Sequence, residues 1–219
     1  MARSERIRDV GQLALDTARS EGIVAFAIGP QADHENRAIP FSRAEPREVR
    51  MEELNVRIER LKPMRVASMR AFGTSPEQIA WEKIRAWAEA ERLFEDREKH
   101  PVFGFNNPNP TPDATEYGYE FWIGIDKNMN PPEGIEVKDF AGGLYAVATC
   151  KLIGDPKGDV MNVWQKLWQW VQSSEYDWRK TNELEKPSDP LAAEEDIVLE
   201  LYLPIQEPKD TTESDAILP

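Results

Sequence analysis

Cysteine and histidine are nearly missing from this chain of 219 residues, which holds one cysteine, Cys150, and two histidines, His34 and His100. A single thiol cannot close an intramolecular disulfide. Two histidines far apart in sequence, without ligand spacing, do not make a zinc site, so neither metal nor cofactor is expected. Serine-histidine and cysteine-histidine nucleophile systems lack their parts for the same reason. Val147, Ala148 and Leu152 around Cys150 read as a core strand, which makes the thiol a small apolar side chain. No apolar run approaches the ~18 residues that would cross a membrane. The charged start MARSERIRDVGQ is not followed by a signal-type apolar block, and a cytoplasmic protein without membrane attachment is expected. Glycine-rich phosphate loops are missing too: Asn106-Asn-Pro-Asn-Pro110 and Gly142-Gly143 carry turn chemistry with no Lys-Ser/Thr after them. Basic charge is in deficit, with 27 Lys+Arg against 40 Asp+Glu and a formal net charge of −13. Such a surface repels a phosphate backbone, so direct nucleic-acid binding is not expected, and it favours cationic ligands.

What the chain does have is apolar and aromatic material, 40% hydrophobic residues with seven Trp, five Tyr and eight Phe. Residues 1–50 read as an N-terminal extension: a helix over 4–20, a short strand over 23–28 and a polar connector with prolines at 30, 40 and 46. Residues 207–219 read as a disordered tail. Between them, 51–206, the sequence repeats itself. Met64–Gly73 matches Tyr145–Gly154 at an offset of 81 (154 − 73). Trp81, Ile84 and Trp87 match Trp164, Leu167 and Trp170 as Trp-x-x-Ile/Leu-x-x-Trp, offset 83 (164 − 81). Phe105–Pro108 lies opposite Leu184–Pro187, and Glu120–Ile125 lies opposite Glu200–Ile205 at an offset of 80 (200 − 120). Four blocks in one order indicate duplication, with repeat one at 51–126 and repeat two at 133–206. Each unit reads strand, helix, strand, strand. Apolar ridges on the two helices must be buried against a sheet, and one helix covers only one face of its own strands. The expected fold is therefore α+β: two units about a pseudo-twofold, forming one antiparallel sheet backed by two helices, with a ligand cleft where the halves meet.

Tyr117-Gly-Tyr-Glu-Phe-Trp122 alternates as a strand, with Tyr117, Tyr119 and Phe121 on one face and Glu120 and Trp122 on the other. Aromatic walls stack on planar ligands and attract cations, although core packing is the competing reading for each ring. The candidate lining residues are Phe105, Asn106, Tyr119, Trp122, Tyr145, Trp164 and Trp168. The residue singled out is Glu185, in the strand after the second helix. Its counterpart under the repeat is the neutral Asn106, and the two are expected to face each other across the cleft. A carboxylate enclosed by aromatics takes up a proton or recruits a cation. An exposed strand-end glutamate is the alternative, and Glu183, two residues earlier on the same face, is the fallback. Glu120 and Glu200 read as surface or edge charges.

The ordered set Met64–Gly73, Trp81…Trp87, Asn107-Pro108, Tyr119-Glu120, Gly142–Val147, Trp164…Trp170, Leu184-Glu185 and Leu201–Ile205 resembles the GyrI-like effector-binding family. That resemblance implies the duplicated SHS2-type fold, a pocket acid at Glu185, and a stand-alone, monomeric or weakly dimeric binder of lipophilic aromatic cations, a multidrug or xenobiotic binder. Pro187 stands where the family usually carries an aromatic. Some relatives are hydrolases of cyclopropane-bearing alkylators. If that applies here, Glu185 acts as the catalytic acid/base, with Tyr145 or Tyr119 assisting. Others are gyrase inhibitors, which implies a protein-partner role.

Overall fold

A computed structural model describes residues 54–111, 115–153, 155–193 and 196–207. The helix read over 4–20, the strand over 23–28, the connector, Gly154 and the tail beyond Glu207 lie outside the described residues. Among those described, no helix is long and apolar enough to cross a membrane.

Among the described residues, nine strands and two α-helices form the duplicated architecture. The first copy is β2 (Met64–Gly73), α1 (Pro76–Ala90), β3 (Val102–Asn106) and β4 (Tyr117–Ile125). The second is β6 (Gly143–Lys151), α2 (Pro156–Ser173), β8 (Leu184–Pro187) and β9 (Val198–Gln206). Each helix opens on a proline at its first position, where the missing N–H and fixed φ cost nothing. The expected strand-helix-strand-strand unit is present twice.

Each unit also has a leading strand that the repeat did not reveal, β1 (Val56–Leu61) before β2 and β5 (Glu136–Phe140) before β6. Both are mostly solvent-exposed and rich in charge, as edge strands are, so neither shows an apolar run. They are exchanged between the units. β1 pairs with β6 of the second copy (Glu59 opposite Tyr145), and β5 pairs with β2 of the first (Val66 opposite Lys138). The sheet order is β1-β6-β9-β8-β3-β4-β2-β5, with the two-residue β7 (Asp177–Trp178) on β9. A pseudo-twofold axis passes between β8 and β3, where the two copies meet.

Strand alternation divides the sheet into two faces. One carries Ala67, Met69, Tyr119, Phe121, Ile123, Ala146, Ala148, Leu199, Leu201 and Leu203, packed in one core with both helices. α1 packs on β2 and β4, and α2 packs on β6 and β9, which leaves β3 and β8 as the floor between the helices. The opposite face carries a second core of Val66, Phe103, Phe105, Trp122, Phe140, Tyr145, Val147, Leu184 and Tyr202. Its rings meet edge to face, Phe105 with Trp122 at 4.6 Å and Phe103 with Tyr202 at 5.9 Å.

The helix ridges are close to those read from sequence, with one shift. Ala80, Trp81, Ile84 and Ala88 are buried on α1, and Val160, Trp164, Leu167 and Val171 on α2. Trp87 and Trp170 are only partly buried at the margin. A step of six residues turns 600°, about 120° away from the starting face, whereas a step of seven returns to it. Leu167 is fully buried at the centre of the α2 contact. Leu167→Ala is expected to lower the unfolding free energy by about 2–5 kcal/mol, read by urea denaturation. A loss within the scatter of surface substitutions would contradict the packing described.

Candidate functional site

Glu185 sits on β8 at the pseudo-twofold seam, on the face covered by the helices, and only 3% of its surface is exposed. The exposed strand-end alternative is thereby excluded. Its partner across the seam is Gly104, not Asn106. The repeat alignment had matched Pro108 with Pro187, but Pro187 is the last residue of β8 whereas Pro108 lies in the turn after β3. The self-pairing of Gly104 with Glu185 on the axis restores the offset of 81 (185 − 104). Asn106 instead pairs with Tyr119, and its side-chain oxygen is buried without a hydrogen-bond partner.

The glycine matters because of what crosses it. A Cβ on Gly104 would overlap the Tyr119 ring and hydroxyl. The absent side chain lets Tyr119, fully buried on β4, reach over β3 and donate its hydroxyl to Glu185 Oε2 at 2.8 Å. From above, Trp164 of α2 points its Nε1–H at Oε1 at 3.4 Å. One carboxyl is thus held by an aromatic donor from each unit.

Among the described residues no cation accompanies it. Burial pushes the Glu185 carboxyl up to about 8, against the lowering effect of the Tyr119 and Trp164 donors, and the negative charges of Glu77 and Glu183 add to the rise. Glu183, half-buried, is pushed up to about 7 by burial. Glu77, in the first turn of α1 and 4% exposed, is also raised by burial, although the Tyr117 hydroxyl donates to it at 2.6 Å. Glu77 and Tyr117 were missed in the sequence. An acid just after a helix-opening proline looks like an ordinary partner of the helix dipole. The result is a cluster of three acids, each raised by burial, set among Tyr117, Tyr119 and Trp164. Among the described residues no group of acids, histidines or cysteine is arranged to hold a metal ion.

The other sequence candidates divide between the faces. Trp168 lies at the α2 margin, edge-on to Trp178 at 5.8 Å. Phe105, Trp122 and Tyr145 belong to the opposite core and do not join Glu185. Alternation had put Tyr119 and Trp122 on opposite faces, so a single pocket could not include both. Tyr145 therefore cannot assist chemistry at Glu185 in this arrangement. Glu120, expected as a surface charge, is 1% exposed. Burial acts to raise its pKa, but Lys138, Ser68, Asn107 and Trp122, each donating at 2.6 Å, hold it below the usual range. Its counterpart Glu200 is likewise held down, by Lys186 and Arg57 against partial burial. Both acids of the opposite face have cations, and Glu185 has none.

Comparison with known proteins follows this geometry. The profile of a family described as "Cass2: Integron-associated effector binding protein" matches residues 57–205. No curated protein matches in sequence. Among solved structures, EcmrR in a complex with DNA is similar with a TM-score of 0.55 and 14% identity, over 73% of this chain and 60% of the EcmrR chain. This chain thus spans about 60% of the length of that protein. A hydrolase from Listeria innocua is similar with a TM-score of 0.51 and 11% identity, over 70% of this chain and 93% of the other. At these identities the likeness establishes the α+β GyrI-like fold.

Two measurements test the site. Between the ordinary carboxyl range near ~4.3 and about 8, folded Glu185 keeps a proton that the unfolded chain releases. Stability is therefore expected to fall as pH rises from 5 to 8, by up to about 1.4 kcal/mol per unit from this group. Glu183 and Glu77 act in the same direction, so Glu185→Gln reduces the slope without abolishing it. A wild-type slope of zero or opposite sign over this range would contradict the buried-acid geometry. Separately, Gly104→Ala displaces Tyr119 and is expected to destabilise by about 1–3 kcal/mol, with the pH slope altered because Glu185 loses its donor. An unchanged melting curve would mean that Tyr119 does not cross the strand there.

Proposed function

This chain belongs to the integron-associated effector-binding protein family, GyrI-like proteins that bind small molecules, and on that premise we infer that it binds a bulky, lipophilic, aromatic cation in the chamber between its two helices. One observation carries the reading: Glu185 is an acid buried among Tyr119, Trp164 and the helix-face core with two neutral donors and no cation of its own. A protonated carboxyl tolerates that setting when the site is empty. An arriving cation replaces the proton and recovers, in a low-dielectric site, the attraction that the protein itself does not supply. Surrounding rings add stacking and cation–π contacts, which suit a flat, delocalised charge better than a compact, strongly hydrated ammonium. The acidic surface, net −13, attracts such a ligand over longer range.

Exchange of a proton for a cation fixes the pH dependence. Below about 8 the ligand competes with a proton on Glu185, so affinity is expected to rise about tenfold per pH unit towards pH 8 and then level off. Rhodamine 6G titrated by fluorescence into wild type and Glu185→Gln from pH 6 to 9 reads this directly. The variant is expected to bind weakly and without the pH slope. Pocket binding that is equally tight in the variant would remove Glu185 as the counter-charge. Mass spectrometry of the recovered dye separates binding from turnover: unchanged dye supports a binding protein. A product whose formation is lost in Glu185→Gln would assign the protein to the hydrolase class, with the protonated acid as proton donor.

A further inference from the structure

The chain has far more acid than base, yet among the described residues the partly buried guanidinium of Arg179 has no carboxylate partner. Arg179 follows β7, its own backbone N–H bonded to the Pro204 carbonyl at 3.0 Å. This anchors its side chain over the opposite face from Glu185, with Cζ 5.4 Å from the centre of the Tyr145 ring. Gly143 makes the room, since a Cβ there would overlap the guanidinium. Only Nη1 is engaged, by the Gly142 carbonyl at 3.4 Å. Among the described residues Nε and Nη2 are buried and have no acceptor, and the nearest polar group to the buried Tyr145 hydroxyl is this guanidinium, whose charge opposes the rise in the hydroxyl's pKa that burial causes.

Those two nitrogens form one edge of the guanidinium, the edge that receives both oxygens of a carboxylate side by side. Leaving two charged donors buried without acceptors is costly, so the arrangement calls for an acceptor that the described residues do not provide. Space for one adjoins it. A cavity of about 300 Å³ is lined by Arg60, Gly143, Leu144, Arg179, Ile205, Gln206 and Glu207. That is the lower end of small-molecule sites.

We propose that this cavity is a second ligand site, which takes the carboxylate of a small organic acid on the Nε/Nη2 edge of Arg179. The wall selects within that class. Leu144 and Ile205 offer apolar contact to the body of the acid. Glu207 and Arg60 also line the cavity, paired with each other at 3.1 Å, which leaves Arg179 as the one uncompensated charge of the lining, matched by a single carboxylate rather than by phosphate or a dicarboxylate. A monocarboxylate with an apolar body fits both conditions. The net charge of −13 opposes any anion at long range, so binding is expected to be modest. The site shares no side chain with the Glu185 chamber, and it stands or falls independently of the cation-binding reading.

Benzoate is the probe, with benzamide as its neutral isostere. Calorimetric titration of the full chain should show saturable benzoate binding and none for benzamide, a comparison that needs no variant. Arg179→Gln is expected to weaken benzoate by about tenfold or more, and Arg179→Lys should not rescue it, because a lysine keeps the charge but not the paired edge. Rhodamine binding at the Glu185 chamber should be unchanged in Arg179→Gln, which also shows that this variant is folded. Equal binding of benzoate and benzamide, benzoate binding that survives Arg179→Gln, or a crystal structure with benzoate in which only water meets Nε and Nη2 would each overturn the proposal.

Discussion

A carboxyl group buried at the seam between two copies of one unit, without a cation, is the constraint around which the helix-covered half of the molecule is arranged. Glu185 is tolerable there only because each copy sends it a donor, Tyr119 from β4 of the first and Trp164 from α2 of the second. Tyr119 reaches it only because position 104 has no side chain to block the path. The duplication is therefore broken where the copies meet: equivalent positions on the axis hold a glycine and a glutamate. Two glutamates facing each other on paired strands would repel, and two glycines would leave no charge to recognise. Asymmetry at that point converts a structural seam into a site with a sign.

The paired acids of the opposite face make the contrast quantitative in direction. Glu120 and Glu200 are related by the repeat, are wholly or largely withdrawn from water, and each meets basic side chains, Lys138 for one and Lys186 with Arg57 for the other. Both are held below the usual carboxyl range, whereas Glu185, Glu183 and Glu77 are held above it. Burial is common to the two groups and so cannot explain the difference. What differs is a hydrogen-bonded cation: Glu120 and Glu200 each have one, whereas among the described residues Glu185, Glu183 and Glu77 have none, and the charge of Lys157 only moderates the rise at Glu77. Cations for the opposite face come in part from the exchanged strands: β5 brings Lys138 to Glu120, and β1 brings Arg57 to Glu200. Exchange thus ties the units together by ladder hydrogen bonds and by ion pairs at once.

Much of this was legible in the sequence, and the limits have physical causes. Spacing in Trp81…Trp87 and Trp164…Trp170 placed both helices because apolar period is a strong signal on an amphipathic helix. Alternation in Tyr117–Trp122 sorted residues into two sets correctly, but a single strand does not say which set faces the helices. Phe105, Trp122 and Tyr145 were therefore grouped with a site on the far side of the sheet. The leading strands β1 and β5 were invisible because edge strands carry charge where central strands carry apolar residues. Glu185 was found by its neighbours, and its true partner was not, because a shared proline two residues on outweighed a glycine that offers nothing to align.

The same sheet face that misled the sequence reading also gives Tyr145 its meaning. A tyrosine in an aromatic core ordinarily turns its hydroxyl to water or to an acceptor. Tyr202, its edge-on neighbour at 5.9 Å, does so, with Glu59 and Glu200 within 3.4 Å of its oxygen. Among the described residues Tyr145 has no such acceptor; Arg179, the charged group beside it, can donate to its oxygen and opposes the rise in pKa that burial causes. A phenol oxygen accepts as readily as it donates, so what is left unmet there is an acceptor for the Nε/Nη2 edge of the guanidinium. On the helix face the unmet need is for positive charge, and at the Arg179 end of the other face it is for negative charge. One sheet thereby separates two recognition problems of opposite sign, which a single pocket lined by all of these residues could not have solved.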